Sequence, residues 1–378
     1  MLMPLLEDIK QSSSLEILNK LRKMSSELLF EKIDVKGYEL VLKISHQNSS
    51  LQSIVAIHNT TLGPALGGIR IYPYACFENA LNDVLRLSKG MTYKAALAGV
   101  GLGGGKSVII CDPKNKSDAL LESFSKAIDS LQGAYICAED SGCSVQDIKK
   151  IRQKTPYVVG QITDPSPFTA WGTFLGIQSA AKKVYGSKSL LGKKVAIQGL
   201  GNVGISLAEY LFWAGADLIV SDINEDRTNF AASKYRAKVV STDKIMGTNC
   251  DIFSPCALGG ILNDDSISDL KCKIVAGAAN NQLLRSEHAD LLKNRKILYA
   301  PDFVINSAGL ITVATELTDC GFDPKLARDN LYTIYDRLMA IYEIAEKNDT
   351  STHAAAISLA EYSINYEINK RVVPPVFH

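Results

Sequence analysis

The 378-residue sequence lacks the features that would direct a chain to a membrane or a nucleic acid. No apolar run reaches the length that spans a bilayer, and Met1–Lys23 mixes charges with leucines at helical spacing instead of forming a signal peptide. No basic run is present, and a formal net charge of +1 creates no field that would attract nucleic acid. We therefore expect a cytoplasmic protein with no membrane and no nucleic-acid partner, beginning with an amphipathic helix.

The cysteines do not form a recognisable metal-binding pattern. None of the eight belongs to a C-x-x-C pair, and none has a histidine at metal-ligand spacing. Most lie in apolar segments such as Val108–Cys111 and Tyr135–Ala138, where a reduced thiol serves as a small core residue. We therefore predict no metal site and a reducing environment.

The composition and length are typical of a globular protein with two domains. Hydrophobic residues make up 46% and charged residues 21% of the chain, and repeats and low-complexity segments are absent. Gln161–Pro167 contains two prolines and an aspartate, which indicates a hinge. We predict a first domain over residues 1–160, a second over 161–345, and a helical segment, 346–378, that returns to the first domain.

Apolar periodicity predicts an α/β fold. In the first half, strands and helices surround a turn-rich segment at Asn59–Gly68. From Lys193 onward, short apolar strands alternate with helical segments, which predicts a parallel, doubly wound sheet, and after Pro324 the pattern is helical almost to Pro374. The predicted strands are Ser53–Ile57, Ser107–Cys111, Ala134–Ala138, Lys193–Gln198, Leu218–Ser221, Asp251–Phe253, Ile274–Gly277 and Ile297–Ala300, and the predicted helices include Asn79–Lys89, Ser117–Leu131, Ala170–Val184 and Ile205–Trp213.

A glycine cluster in the second half predicts a dinucleotide site. Gly199, Gly201 and Gly204 form G-x-G-x-x-G directly after a predicted strand and before a predicted helix. Asp222 ends the next strand, 18 residues beyond Gly204, where it would bind ribose hydroxyls and repel a 2′-phosphate. The nearest arginine that follows, Arg227, is five residues away, so NAD is favoured over NADP. The alternative for Asp222 is a solvated helix cap.

A second glycine-rich segment, Gly99–Ser107, lies close to two lysines. It resembles the end of a nucleotide phosphate loop, but the first glycine of that motif is replaced by Val100. Lys94, Lys106 and Asp140 all lie beside glycines in predicted strands or turns, where side chains converge. A lysine that is crowded by another cation and partly desolvated has a lowered pKa and can act as a base. Surface lysines and a capping aspartate are the alternatives.

Motifs along the chain extend this interpretation to a family. They are Thr60–Gly68, Gly90–Lys94, Gly103–Lys106, Ala138–Asp140, Pro255–Gly259, Gly277–Leu283 and Pro301–Asn306. In this order they resemble those of the leucine, valine and phenylalanine dehydrogenases, which belong to the glutamate dehydrogenase superfamily. The resemblance runs from about Glu27 to the C-terminal helices. It implies a substrate domain and a Rossmann NAD domain separated by a cleft, in a homo-oligomer, either an octamer or a dimer.

The resemblance implies NAD-dependent oxidative deamination of an L-amino acid to its 2-oxo acid and ammonium. Lys94 would bind the substrate carboxylate, Lys106 would be the general base that activates water, and Asp140 would exchange protons with the substrate nitrogen. The other implied substrate-binding residues are Gly67, Gly68, Leu66, Ala138, Asn281, Leu310 and Val313. The implied cofactor-binding residues are Gly199, Gly201, Asn202, Val203, Gly204, Asp222, Thr169, Cys256, Ala257 and Asn280.

The side-chain pocket favours an apolar substrate. Leu66 stands where the glutamate-specific relatives have a lysine, and burying a distal carboxylate there without a partner costs several kcal/mol. Leucine, valine and isoleucine fit best, and Leu310 is bulkier than the residue usual in leucine dehydrogenases. An aromatic amino acid dehydrogenase remains an alternative. More distant alternatives are a regulatory NAD-binding protein without turnover and a nucleotide-hydrolysing protein.

Overall fold

The computed structural model describes residues 14–25, 27–160 and 164–378, which divide into two compact units. The first unit contains the described residues up to Asp164 together with Val313–Asp323 and Tyr362–His378. The second contains Pro165–Thr312 and Pro324–Glu361. The chain therefore returns to the first unit twice, at Val313 and at Tyr362, rather than once at residue 346. Residues 1–13 of the predicted N-terminal helix and residues 161–163 of the predicted hinge lie outside the described residues.

The first unit is built on a six-stranded mixed sheet. Its elements are α1 Ser14–Met24, β1 Leu29–Lys32, β2 Leu40–His46, β3 Leu51–Asn59, β4 Ala65–Tyr72, α2 Phe77–Ala98, β5 Gly103–Ile110, α3 Asp118–Ser130, β6 Tyr135–Glu139 and α4 Val145–Arg152. The strand order is β1-β2-β3-β5-β4-β6. Strand β4 pairs in parallel with both β5 and β6, and the remaining pairs are antiparallel. The N-terminal helix α1 buries Ile17 and Leu21 in the core of this unit.

The two faces of this sheet have different neighbours. On one face, Ile69, Ile109 and Tyr135 pack with residues of α3 and α4 in the largest apolar core of the unit. On the other face, Val108 packs with Ala80 of helix α2 and its neighbours. Because side chains alternate along a strand, the even-numbered residues of the central strands face α2.

The second unit contains an all-parallel sheet flanked by helices. Its elements are α5 Ser166–Tyr185, β7 Lys194–Gln198, α6 Asn202–Trp213, β8 Asp217–Ser221, α7 Glu225–Tyr235, β9 Lys238–Val239, β10 Ile252–Pro255, α8 Asp264–Asp269, β11 Ile274–Val275, α9 His288–Asn294, β12 Leu298–Tyr299, α10 Asp302–Ile305, α11 Ala308–Thr315, α12 Pro324–Asn330, α13 Tyr332–Lys347 and α14 Thr352–Asn365. Helices α11 and α14 each cross into the first unit. The strand order β12-β11-β10-β7-β8-β9 is that of a dinucleotide-binding sheet. All strands are parallel, and the order in which successive strands are added changes sides between β7 and β10. The predicted α/β fold with a parallel, doubly wound sheet is confirmed.

The glycine-rich segment before Lys106 is a strand rather than a turn. Strand β5 begins at Gly103, so Lys106 lies within a strand that pairs on both sides. A Cβ at Gly104 would lie 2.1 Å from the backbone nitrogen of Thr92 on α2. Gly104 therefore makes room for a neighbouring helix, and the segment gives no phosphate-binding turn to the nucleotide-hydrolysing alternative.

Helix α2 is longer than predicted, and this changes the setting of Lys94. The helix continues through Gly90 to Ala98 and ends at Gly99, whose φ of 68° is left-handed and whose amide bonds the carbonyl of Ala95. Lys94 is therefore a helical residue, not one in a strand or turn. Residues 65–68, predicted to be in a turn-rich segment, belong to β4, and the C-terminal helical region ends at Asn365.

All eight cysteines are free thiols. Cys137, Cys143, Cys250 and Cys272 are buried, as expected for small core residues, whereas Cys76 and Cys320 are exposed. Among the described residues, no helix is long and apolar enough to cross a membrane.

Candidate active site

The candidate site is centred on Gly68, which has no side chain to fill the space above its strand. Gly68 lies on β4, the strand between β5 and β6, opposite Ala138 of β6 and beside Lys106 of β5. A Cβ on Gly68 would lie 2.7 Å from the Cβ of Asp140 and 2.9 Å from Nζ of Lys106. The space above Gly68 therefore lets two side chains from the flanking strands meet across β4.

Lys106 and Asp140 form a buried ion pair in that space. Lys106 Nζ lies 2.8 Å from Oδ2 of Asp140, and their side chains are 7% and 25% exposed. Burial lowers the pKa of Lys106, while the Asp140 carboxylate opposes the shift. Burial opposes ionisation of Asp140, but the cations of Lys106 and Arg70 outweigh it and hold its pKa below the ordinary value. The pair combines a lysine that releases its proton readily with an ionised carboxylate.

Arg70 is the member of this cluster that the sequence did not predict. Its Nε lies 3.1 Å from Oδ2 of Asp140, and its Nη1 lies 2.9 Å from Oδ2 of Asp83 on α2. The signal that could have located it is its position two residues after Gly68 on one strand, which places both on the same face. The turn-rich pattern of residues 59–68 hides that alternation in the sequence.

Other predicted substrate residues lie on or near this face. Leu66 precedes Gly68 by two residues, and Ala138 precedes Asp140 by two, so all four are on the α2 side of the sheet. Lys94 is half-buried on α2, two residues after the threonine that packs against Gly104. Their contacts with substrate stay predictions.

Of the four other predicted substrate residues, one lies on β4 and three lie elsewhere in the fold. Gly67 is next to Gly68 on β4, and its missing side chain leaves room for the carbonyl oxygen of Gly105. Leu310 and Val313 are one turn apart on α11. Asn281 follows β11 with a left-handed φ of 51°. Their contacts with substrate also stay predictions.

The glycine loop of the second unit has the geometry that a dinucleotide pyrophosphate requires. A Cβ on Gly204 would lie 2.1 Å from the carbonyl oxygen of Gly199, so the start of helix α6 packs directly against the loop. Gly201 precedes the helix and supplies no side-chain cap, and a Cβ on it would meet no heavy atom within 4 Å. The free amides of the first turn, which includes Asn202 and Val203, suit an anion.

Asp222 is held beside this loop by backbone amides. Its Oδ2 accepts a hydrogen bond from Leu200 N at 2.6 Å, and its Oδ1 accepts one from Asn224 N at 2.8 Å. Asn224, not Asp222, caps helix α7. A cavity of about 240 Å³ adjoins the loop and is lined by Gly201, Asn202, Asn224, Arg227 and neighbouring side chains. Arg227 thus lies at this cavity, so its distance from Asp222 along the sequence does not exclude NADP. The loop amides and the Asp222 carboxylate fit the pyrophosphate and ribose of a dinucleotide.

The loop after β10 completes the same region. Ala257 approaches Gly199 so closely that a Cβ on the glycine would lie 2.8 Å from the alanine Cβ, and Cys256 N donates to Gln198 O at 2.8 Å. Asn280 Oδ1 accepts a hydrogen bond of 2.7 Å from Nδ2 of Asn306. Asn306 belongs to the motif Pro301–Asn306, for which the sequence predicts no role.

Thr169, the remaining predicted cofactor residue, lies in the first turn of α5. Its Oγ1 would be 3.3 Å from a Cβ on Gly309 at the start of α11. Within the described residues, no group of three or more histidine, cysteine or acidic side chains is arranged to hold a metal ion.

Comparison with known proteins identifies the family. The model of the Glu/Leu/Phe/Val dehydrogenase dimerisation domain matches residues 38–157, and that of the Glutamate/Leucine/Phenylalanine/Valine dehydrogenase domain matches residues 218–367. A leucine dehydrogenase of Geobacillus stearothermophilus is 47% identical over 89% of this chain and 93% of its own length. An L-tryptophan dehydrogenase of Nostoc punctiforme is 46% identical over 89% of this chain and 96% of its own.

A solved structure agrees with these sequence matches. The crystal structure of L-tryptophan dehydrogenase from Nostoc punctiforme has a TM-score of 0.80 and 44% identity, covering 92% of this chain and 98% of that one. The family resemblance predicted from the sequence motifs is thereby confirmed. The chain belongs to the glutamate, leucine, phenylalanine and valine dehydrogenase family, and is an amino acid dehydrogenase.

Proposed function

We propose that the protein catalyses the NAD-dependent oxidative deamination of branched-chain L-amino acids, leucine foremost, to 2-oxo acids and ammonium. The observation that carries the proposal is the ion pair of 2.8 Å between Lys106 Nζ and Asp140 Oδ2. A binding protein without turnover needs no such pair. The leucine dehydrogenases at 44–47% identity support leucine as the substrate.

The residues of the pair have complementary tasks. Burial lowers the pKa of Lys106, which favours the neutral amine that a base needs to take a proton from attacking water. Asp140, ionised beside two cations, is placed to exchange a proton with the substrate nitrogen. Lys94 supplies a positive charge for the substrate carboxylate. NAD, when bound, accepts the hydride from the α-carbon.

The chemistry of the two units supports the details of substrate and cofactor. Leu66 is only 3% exposed and offers no charge to a second carboxylate, so an apolar side chain is favoured. A dinucleotide cofactor follows from the family and the parallel sheet. The Asp222 carboxylate would repel a 2′-phosphate, which supports NAD rather than NADP.

We also propose that the protein is a homo-oligomer, a dimer or an octamer. The matched N-terminal family model is described as a dimerisation domain, and it covers residues 38–157. Light scattering coupled to size-exclusion chromatography distinguishes a dimer, an octamer and a monomer directly. A cytoplasmic location stays a prediction.

An aromatic substrate is the second candidate. The L-tryptophan dehydrogenase relative at 46% identity favours it. Values of kcat/KM for leucine, valine, isoleucine, phenylalanine and tryptophan with NAD decide between the two. Leucine or valine is expected to lead, and a lead for tryptophan or phenylalanine would replace the first candidate with the second.

Replacing Lys106 tests the chemistry. Lys106→Ala should lower kcat about 10²–10⁴-fold, the usual contribution of a positioned acid or base, while NADH binding measured by fluorescence stays unchanged. Lys150→Ala, which removes an exposed lysine that pairs with Asp118, is the matched control and should behave as the parent. Full activity of Lys106→Ala would refute the assigned role.

A further inference from the structure

Arg70 links the Lys106–Asp140 pair to a second carboxylate. Its guanidinium contacts Asp140 Oδ2 through Nε at 3.1 Å and Asp83 Oδ2 through Nη1 at 2.9 Å. The side chains of Arg70 and Asp83 are 21% and 18% exposed, so both contacts are shielded from water. The Tyr74 hydroxyl also donates to Asp83 Oδ2, at 2.7 Å.

These contacts restrict how the Asp140 carboxylate can turn. Its Oδ2 receives Lys106 Nζ from β5 and Arg70 Nε from β4, so two donors on different strands fix the position of that oxygen. Asp83, on α2, holds the other edge of the guanidinium. Because Arg70 is anchored on both sides, it cannot follow a rotation of Asp140 without breaking a second charged hydrogen bond.

Arg70 and Asp83 also have opposite effects on the pKa of Lys106. The positive charge of Arg70 lowers the pKa of Lys106, and the negative charge of Asp83 raises it. Arg86, 56% exposed, contacts Asp83 from the outer side. Other ionisable groups that interact with Asp140 are Glu139, Cys143 and Tyr135 on β6 and the loop after it.

We propose that Arg70, anchored by Asp83, is a positioning residue that holds Oδ2 of Asp140 against Nζ of Lys106 and sets the charge around the base. Arg70 acts through Asp140 and Lys106, so we do not assign it a contact with substrate. The proposal rests on the proposed deamination, in which Lys106 must lose its proton and Asp140 must keep a fixed orientation.

The pH dependence of kcat/KM separates positioning from simple structural support. Arg70→Gln removes a positive charge, so the pKa of Lys106 should rise and the acidic limb of the profile should move to higher pH. Asp83→Asn removes a negative charge, so the limb should move to lower pH. The substrate amino group titrates identically in every variant, so only the differences between variants count.

The same variants test orientation through kcat. Both should lower kcat at the optimum about tenfold or more, because a displaced catalytic group costs up to about 10²-fold for a shift of 1 Å. Arg70→Lys keeps the positive charge but loses the planar guanidinium that contacts both carboxylates. The acidic limb should therefore stay at the parental pH while kcat remains lowered. Lys150→Gln, which removes an exposed positive charge that pairs with Asp118, is the matched control and should leave both quantities at the parental values.

Two outcomes would overturn the proposal. One is an unchanged limb and kcat in both Arg70→Gln and Asp83→Asn, and the other is a shift of the limb in the same direction in both. Circular dichroism and the melting temperature identify a variant that fails to fold. If Arg70→Gln fails to fold, the other two variants still give different expectations: the limb should stay at the parental pH in Arg70→Lys and move to lower pH in Asp83→Asn, because only the second changes the net charge.

A readout without turnover distinguishes failure of the proposal from failure of the function. The extent of acylation of Lys106 by trace acetic anhydride, followed against pH by peptide mass spectrometry, reports the pKa of this amine. Its midpoint should rise in Arg70→Gln and fall in Asp83→Asn. If the parent oxidises no amino acid, the proposed function is wrong, and coincident midpoints would refute the action of Arg70 on Lys106.

Discussion

At the scale of residues, the candidate site depends on the absence of a side chain at Gly68. Gly68 leaves the space in which Lys106 and Asp140 meet across β4, so the pair exists only because β4 has no side chain at that position. Charged side chains on adjacent strands can pair directly, but these two are separated by a whole strand.

We expect Gly68→Ala to disrupt catalysis more than folding. The new methyl group would lie within 3 Å of both members of the pair and push them apart, so kcat should fall about 10²-fold or more. Steady-state kinetics with leucine and NAD measures the effect, and near-ultraviolet circular dichroism checks the fold. A variant that retains parental kcat would show that the pair does not need this space.

The sequence located Lys106 and Asp140 but not Arg70, and the reason is physical. The glycine motifs and their order are local signals, and they stand out in a single sequence. The contribution of Arg70 depends on strand alternation in β4 and on the approach of α2, which brings Asp83 to it. Neither is visible until residues 65–68 are recognised as a strand.

At the scale of elements, the close approach of helix α2 to strand β5 organises the first unit. Thr92 packs against Gly104, and its hydroxyl lies 2.8 Å from Nδ1 of His58 on β3. Periodicity predicted the first part of this helix correctly. It could not predict that Gly103–Gly105 form a strand, because glycine has low strand propensity and is used here only to let neighbours approach.

We expect Gly104→Ala to destabilise the protein. Its Cβ would lie 2.1 Å from a backbone nitrogen, which cannot move as a flexible side chain does, so the free energy of unfolding should fall by about 1–3 kcal/mol or more. Gly90→Ala is the matched control, because Gly90 lies in helix α2 and a Cβ on it would meet no atom within 4 Å; it should stabilise the protein by about 0.5–1 kcal/mol. Urea titrations followed by far-ultraviolet circular dichroism compare the two, and equal effects would contradict the packing explanation.

At the scale of the whole molecule, each unit has its own sheet and core, and both tryptophans lie in the second. Trp171 stacks on Phe174 with ring centroids 5.2 Å apart, and Trp213 ends α6. Tryptophan fluorescence therefore follows the unit that contains the glycine loop. The parallel sheet was predictable from alternating strands and helices, whereas the two returns of the chain to the first unit have no local signature.

We expect NADH to stabilise the second unit more than NADPH does. Ligand at 100 times its dissociation constant adds about 2.7 kcal/mol to the free energy of unfolding, and Asp222 should weaken the binding of a 2′-phosphate. Fluorescence-detected urea unfolding at equal cofactor concentrations measures both. Asp222→Ser should reduce the difference, and equal stabilisation of the parent by NADPH would argue against NAD as the preferred cofactor.

The path of the chain between the units limits how recombination between related genes can exchange the second unit. The chain passes from one unit to the other at residues 164/165, 312/313, 323/324 and 361/362. The second unit is therefore encoded by two separate stretches, with a piece of the first unit between them. Recombination between relatives cannot exchange the cofactor unit as one block, because one pair of crossovers also carries Val313–Asp323 across. Val313–Asp323 is thus expected to be inherited with the second unit, although it belongs to the first.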